Sequence, residues 1–348
     1  MFRLVRICFA VASIFTLSGC VGLDFSPDGK SVAITTPRGV VIIPVEGGPG
    51  ELIPESKENM MPLWSPDSKR VLFTGQAGEK TNAFLYETST RRSRKIGTDW
   101  TAPYAWREDG KRFAAVQKHD KNSAEIVWYD LAEGGVAQAV PVKPDPTFMI
   151  WLPDTDDLAF MGVESELTDV YLVEGGELKR ITRTGDVIGF ALSASRKELL
   201  WARRGKNLKH QLLSIYRYDL AKRSVVRMEF PMRIPLSNPD SRRAPTSIGF
   251  ATFSPDSKRL AVVTGHSQTV RGRKRDSAAC YAMRIDGSEA RLVRKTIGTE
   301  GSAEILYPVW SRDGARLGVY GLHDQQLVVA VFDSSGANGR RLLAEKTK

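Results

Sequence analysis

From Leu23 onward, short apolar runs alternate with polar turns, and no stretch keeps the period of an amphipathic helix. Val32-Ala33-Ile34, Val71-Leu72-Phe73, Phe113-Ala114-Ala115-Val116 and Leu260-Ala261-Val262-Val263 are apolar at every position. Such runs predict strands buried on both faces. A further strand-like run follows, as in Ile126-Val127-Trp128-Tyr129-Asp130-Leu131 and Asp169-Val170-Tyr171-Leu172-Val173. A basic, partly apolar segment comes next, as in Glu177-Leu178-Lys179-Arg180-Ile181-Thr182. With the residues ahead of each turn, the unit is four strands.

The turn ahead of each fully apolar run is a repeated motif. It reads Phe25-Ser26-Pro27-Asp28-Gly29, Trp64-Ser65-Pro66-Asp67-Ser68, Trp106-Arg107-Glu108-Asp109-Gly110 and Trp151-Leu152-Pro153-Asp154-Thr155. It continues as Leu192-Ser193-Ala194-Ser195-Arg196, Phe253-Ser254-Pro255-Asp256-Ser257 and Trp310-Ser311-Arg312-Asp313-Gly314. Pro presets φ, Asp or Ser bonds nearby backbone, and Gly accepts positive φ. The Asp column falls at 28, 67, 109, 154, 195, 256 and 313, with the fifth copy degenerate. The first four steps suit one four-stranded blade each, and the last two carry insertions. The pattern predicts an all-β, seven-bladed β-propeller of four-stranded antiparallel blades over residues 20–348. The seventh blade takes its last two strands from Leu327 to Phe332 and Arg340 to Leu343, so the ring closes without lending a strand. At these residues the sequence resembles the WD40-like repeat of TolB-type propellers. That resemblance implies the fold; propellers host binding modules and enzymes alike.

The first nineteen residues have another character. Arg3 and Arg6 precede an apolar stretch, Ile7 to Leu17, too short to span a bilayer. Leu17-Ser18-Gly19-Cys20 resembles the bacterial lipobox. The resemblance implies removal of residues 1–19 and lipidation of Cys20, placing the protein on a membrane of the bacterial envelope. Val21 after the cysteine points to the periplasmic side of the outer membrane, if the host has one. Loss of Arg3 and Arg6 lowers the formal charge from +10 to +8. Of three cysteines, Cys8 leaves with the leader and Cys20 is the lipid site, so Cys280 stands alone and no internal disulfide forms.

Val21 to Phe25 is the candidate first strand, which holds Cys20 at one face of the ring. We name this the upper face; the motif turns occupy the lower one. The insertions Pro231 to Thr246, His266 to Ala279 and Lys295 to Ala303 are expected as upper-face loops. The second contains Arg271, Arg273, Lys274 and Arg275, a candidate contact for an anionic surface.

No Gly-x-Ser-x-Gly, P-loop, His-Glu-x-x-His or Cys-x-x-Cys pattern occurs. His119, His266 and His323 each lie ten residues past a motif Asp, and Glu164 shares that register. Three imidazoles and a carboxylate could bind metal or move protons. Their positions on separated blades argue against one shared site. The reading is a membrane-anchored, non-catalytic binding or scaffold module. It uses no cofactor or metal, binds no nucleic acid, and has a protein or envelope polymer as partner. The alternative is a propeller enzyme, a polysaccharide lyase or hydrolase, with a His-lined site.

Overall fold

The computed structural model describes residues 22–54, 56, 60–77, 80–119, 123–204, 212–233, 247–270, 273–297, 305–323 and 326–346. Among them lie seven separate four-stranded sheets, each antiparallel and each in chain order from first to fourth strand. The first strands are Leu23–Phe25, Met60–Trp64, Trp100–Trp106, Asp145–Trp151, Val187–Leu192, Ser247–Phe253 and Ile305–Trp310. Each ends at its motif turn, as the sequence predicts. The first blade opens slightly later than expected, at Leu23, although Thr35 N–H still reaches the Gly22 carbonyl at 2.8 Å.

The fully apolar runs become the second strands. Side chains alternate across a strand, so a run buried on both faces must serve two neighbours. Val32 and Ile34 pack toward the seventh blade, with Tyr320, Leu327 and Val329. Ala33 packs the other way, with Trp64, Val71 and Phe73 of the second blade. The pattern repeats: seven apolar clusters form, each between two consecutive blades, and the last joins the seventh to the first. These interfaces, rather than one central core, hold the ring together. Backbones approach closely where inner strands meet. A Cβ on Gly189 would lie 1.8 Å from the Ala251 carbonyl oxygen, so that position admits no side chain.

The seventh blade builds its own fourth strand, Arg340–Lys346, paired with Gln326–Asp333. Among the described residues no strand is shared across the seam. Packing of Phe25 and Leu23 against Gly318 closes the ring, aided by Arg316, which donates to the Gly29 carbonyl at 2.7 Å and pairs with Glu46 at 3.0 Å.

The motif turns show why the motif recurs. In the first, Ser26 Oγ donates to Asp28 Oδ1 at 2.6 Å and accepts from Ser31 N–H at 2.9 Å. Asp28 Oδ1 in turn accepts from Lys30 N–H at 3.1 Å. Gly29 takes φ of 70°. The same net recurs at Ser65, Ser254 and Ser311. In the degenerate fifth copy, Ser195 replaces the Asp, with its Oγ 3.0 Å from Ser193 Oγ. Arg196 there adopts φ of 61°, the left-handed position that Gly29, Gly110 and Gly314, and also Ser68 and Ser257, occupy in other copies.

Parts of all three expected loops are strands instead. Within the insertion His266 to Ala279 the second strand of the blade, Arg259–Val270, and the third, Arg273–Arg284, both extend into the expected loop. Pairing continues register by register from Arg259↔Arg284 to Val270↔Arg273. Backbone pairing needs no apolar side chains, so a polar stretch concealed it. Likewise Pro231 to Arg233 extend the fourth strand of the fifth blade and Lys295 to Ile297 that of the sixth, while 234–246 and 298–303 lie outside the described residues.

Candidate ligand-binding funnel

The lower mouth of the ring opens into a funnel of about 570 Å³. Its wall is largely apolar, with Trp64, Tyr104, Phe148 and Trp151 among the aromatic residues that form it. The strand-end aromatics sit here because each inner strand stops at its motif turn. Tyr104 is held by a 2.7 Å hydrogen bond between its hydroxyl and Thr74 Oγ1. Phe148 is 37% exposed and stacks edge-on against Phe190, so an apolar ring remains open to a visitor.

Six charged residues line the mouth: Asp109 and Asp154 are acids of the motif itself, and the other four mark departures from the repeat. Arg107 and Glu108 replace the Ser-Pro of the motif, Arg196 replaces its Gly, and Arg312 replaces its Pro. All four line the funnel. The places where the repeat departs from its own turn chemistry thus converge on one mouth. Arg196 of the fifth blade pairs with Glu108 of the third at 2.6 Å. Both side chains are well exposed, so the pair adds little stability and chiefly positions the guanidinium. Arg107 is held by Asp156 at 3.0 Å and Asp109 at 3.6 Å. Arg312 is exposed, acts electrostatically on Asp24, and makes no hydrogen bond or ion pair with another described residue. A cation without an ion pair facing an apolar cup suits a ligand that carries an acidic group beside an apolar one.

Asp24, on the first inner strand, accepts the Trp64 N–H at 2.8 Å and ties the first blade to the second. Burial pushes its carboxyl up to about 7, against the opposing pull of the Trp64 and Phe25 amides and of Arg312. Asp24 and the four rim charges escaped sequence reasoning. The available signal was the departure from motif consensus, which reads as degeneracy until the turns are seen on one rim.

The residues singled out from the sequence lie elsewhere. His119 is exposed at the end of its strand, with Nε2 3.1 Å from Glu125 Oε2. Glu164 lies at the end of the equivalent strand of the fourth blade, 3.8 Å from Arg180 Nη1. Each is engaged within its own blade, and the two are not brought together. His266 stands opposite Ser277 and His323 opposite Gln326 in strand register; their side chains lie outside the described residues. No group of three His, Cys, Asp or Glu among the described residues could hold a metal. Arg273, Lys274 and Arg275 lie in strand register in the ribbon of the sixth blade, with side chains outside the described residues, and Arg271 and Cys20 lie outside them altogether. Among the described residues no helix is long and apolar enough to cross a membrane.

No family model matches the sequence, and no curated protein matches it. Solved structures do. An oligogalacturonate lyase from Vibrio parahaemolyticus matches with TM-score 0.62 at 11% identity, over 94% of this chain and 90% of that one. The β-propeller domain of the Trilobed protease from Pyrococcus furiosus, described as having an open velcro topology, matches with TM-score 0.58 at 14% identity, over 94% and 97%. The fold is a seven-bladed β-propeller. TolB from Acinetobacter baumannii is also a neighbour, with TM-score 0.49 and 15% identity over 94% of this chain; the chain spans 64% of that protein's length. At these identities the likeness extends to the fold and no further.

Proposed function

We propose that this protein is a lipid-anchored binding module of the bacterial envelope, whose lower-mouth funnel receives an acidic, partly apolar segment of a protein or envelope polymer. The convergence of Arg107, Glu108, Arg196 and Arg312 on one apolar mouth carries the reading. The lipobox at Leu17 to Cys20 supports the anchor. The first strand enters at the upper face, so an anchored ring would turn its funnel toward the aqueous compartment.

Two experiments test the two halves. Metabolic labelling with a fatty acid should mark the parent protein and spare Cys20→Ser, which should also leave the membrane fraction. Continued labelling of the variant removes the anchor. Capture from solubilised envelopes should yield a partner with the parent and lose it with Arg196→Glu plus Arg312→Glu; retention by the variant removes the funnel.

A further inference from the structure

The ribbon of the sixth blade differs from its six counterparts. Elsewhere the second strand has six to eight residues, as in Ser31–Thr36, Arg112–Lys118 and Arg316–His323. In the sixth blade it has twelve. The first strand of that blade stops its pairing at Ser247↔Gly265, and the fourth stops at Ser277↔Ile297. Among the described residues, the pairs beyond that level are Ser267↔Asp276, Gln268↔Arg275, Thr269↔Lys274 and Val270↔Arg273. Among the described residues a two-stranded ribbon therefore continues four residues past its flanking strands, roughly 13 Å at strand rise.

Its composition narrows its purpose. From His266 to Ser277 Val270 is the only aliphatic residue, and four cations face one acid, Asp276. A lone two-stranded ribbon is marginal in water, and this sequence supplies no apolar stripe with which to dock on a protein core or enter hydrocarbon. A cationic ribbon of this kind matches a surface of anionic headgroups. The fold sets its direction. The second-to-third connection lies at the same end of the ring as the entry of the chain at Gly22, on the blade two places from the first. Three extended residues from Cys20 to Leu23 reach at most about 11 Å, so the ribbon reaches at least as far from the ring as the lipid site.

We propose that the sixth-blade ribbon, through Arg273, Lys274 and Arg275, rests on anionic lipid headgroups and, with the anchor at Cys20, fixes the ring at two points with its funnel directed away from the membrane. The orientation rests on the lipid-anchored reading; the lipid contact of the ribbon does not.

The two are separated by testing the ribbon without the lipid. The ring closes among residues 23–346, each blade supplying its own four strands, so the chain from Val21 onward is used. It should sediment with phosphatidylglycerol-rich vesicles at low salt, release as salt rises, and ignore phosphatidylcholine vesicles. Replacing Arg273, Lys274 and Arg275 together by glutamine should weaken partition on the order of 100-fold. Arg273→Lys with Arg275→Lys should retain it, separating charge from ribbon folding. Equal binding by the glutamine variant overturns the proposal. So does binding to an anionic polysaccharide with none to vesicles. Absent fatty-acid labelling at Cys20 of the full chain would remove the anchor while leaving this result intact.

Discussion

Replacing Asp24 by asparagine should stabilise the protein above pH 7 and leave it nearly unchanged near pH 4. The carboxyl is set between the first and second blades, where burial outweighs the Trp64 amide and Arg312 and carries it from 3.8 to about 7. Its proton is thus held more tightly in the folded state than in the unfolded one. Between these two values the unfolded chain has released a proton that the folded chain keeps, so rising pH withdraws stability, and the loss is complete above 7. The shift corresponds to about 4 kcal/mol as a ceiling. Asp24 retains some contact with solvent, and we take ~2 kcal/mol after screening. Asparagine removes the charge while its Oδ1 still accepts the Trp64 N–H. The assay is urea denaturation of parent and variant at a series of pH values. The gain of the variant should grow through the acid range and level off above neutrality. A gain of the same size at pH 4 and pH 8, or a loss at pH 8, would refute the reasoning.

The ring seam should be sensitive to volume. A Cβ on Gly318 would meet Phe25 and Leu23 side-chain atoms at 2.9 to 3.1 Å. Gly318→Val should therefore cost about 1–3 kcal/mol in denaturation, and a neutral result would mean that the first and last blades are not packed as described. Ser311→Ala removes a 1%-exposed hydroxyl that bridges Asp313, Arg316 N–H and the Arg316 carbonyl; a loss of about 1–3 kcal/mol is expected by the same measurement. Cys280 is fully buried, and burial pushes its thiol up to about 12. At neutral pH iodoacetamide should label it only after unfolding; rapid labelling of the native protein would contradict its burial.

Much of the fold could be read from the chain because a propeller writes its architecture locally. Each blade interface needs a second strand apolar on both faces, and each inner strand needs a turn, so Val71-Leu72-Phe73 and the Ser-Pro-Asp-Ser before it locate a blade. The ribbon from His266 to Ser277 escaped that logic. Its strands are held by backbone hydrogen bonds, and its side chains carry no alternation to betray them. The funnel escaped for another reason. Glu108 and Arg196 are 88 residues apart, and Arg312 is farther still. Only ring closure makes them neighbours, and each alone reads as a worn copy of the motif. The histidine column had the opposite fate: equal register placed His119 and Glu164 at equivalent strand ends, but equivalence in a ring is separation in space.

The direct test of a funnel that binds is photo-crosslinking in the living cell. A photoreactive residue replaces Phe148 in the funnel or, in a second strain, Leu167 at the upper turn of the same blade, 50% exposed. The account predicts one discrete adduct from position 148, lost when Arg196→Glu and Arg312→Glu are added. An adduct from position 167 with none from 148 would contradict it.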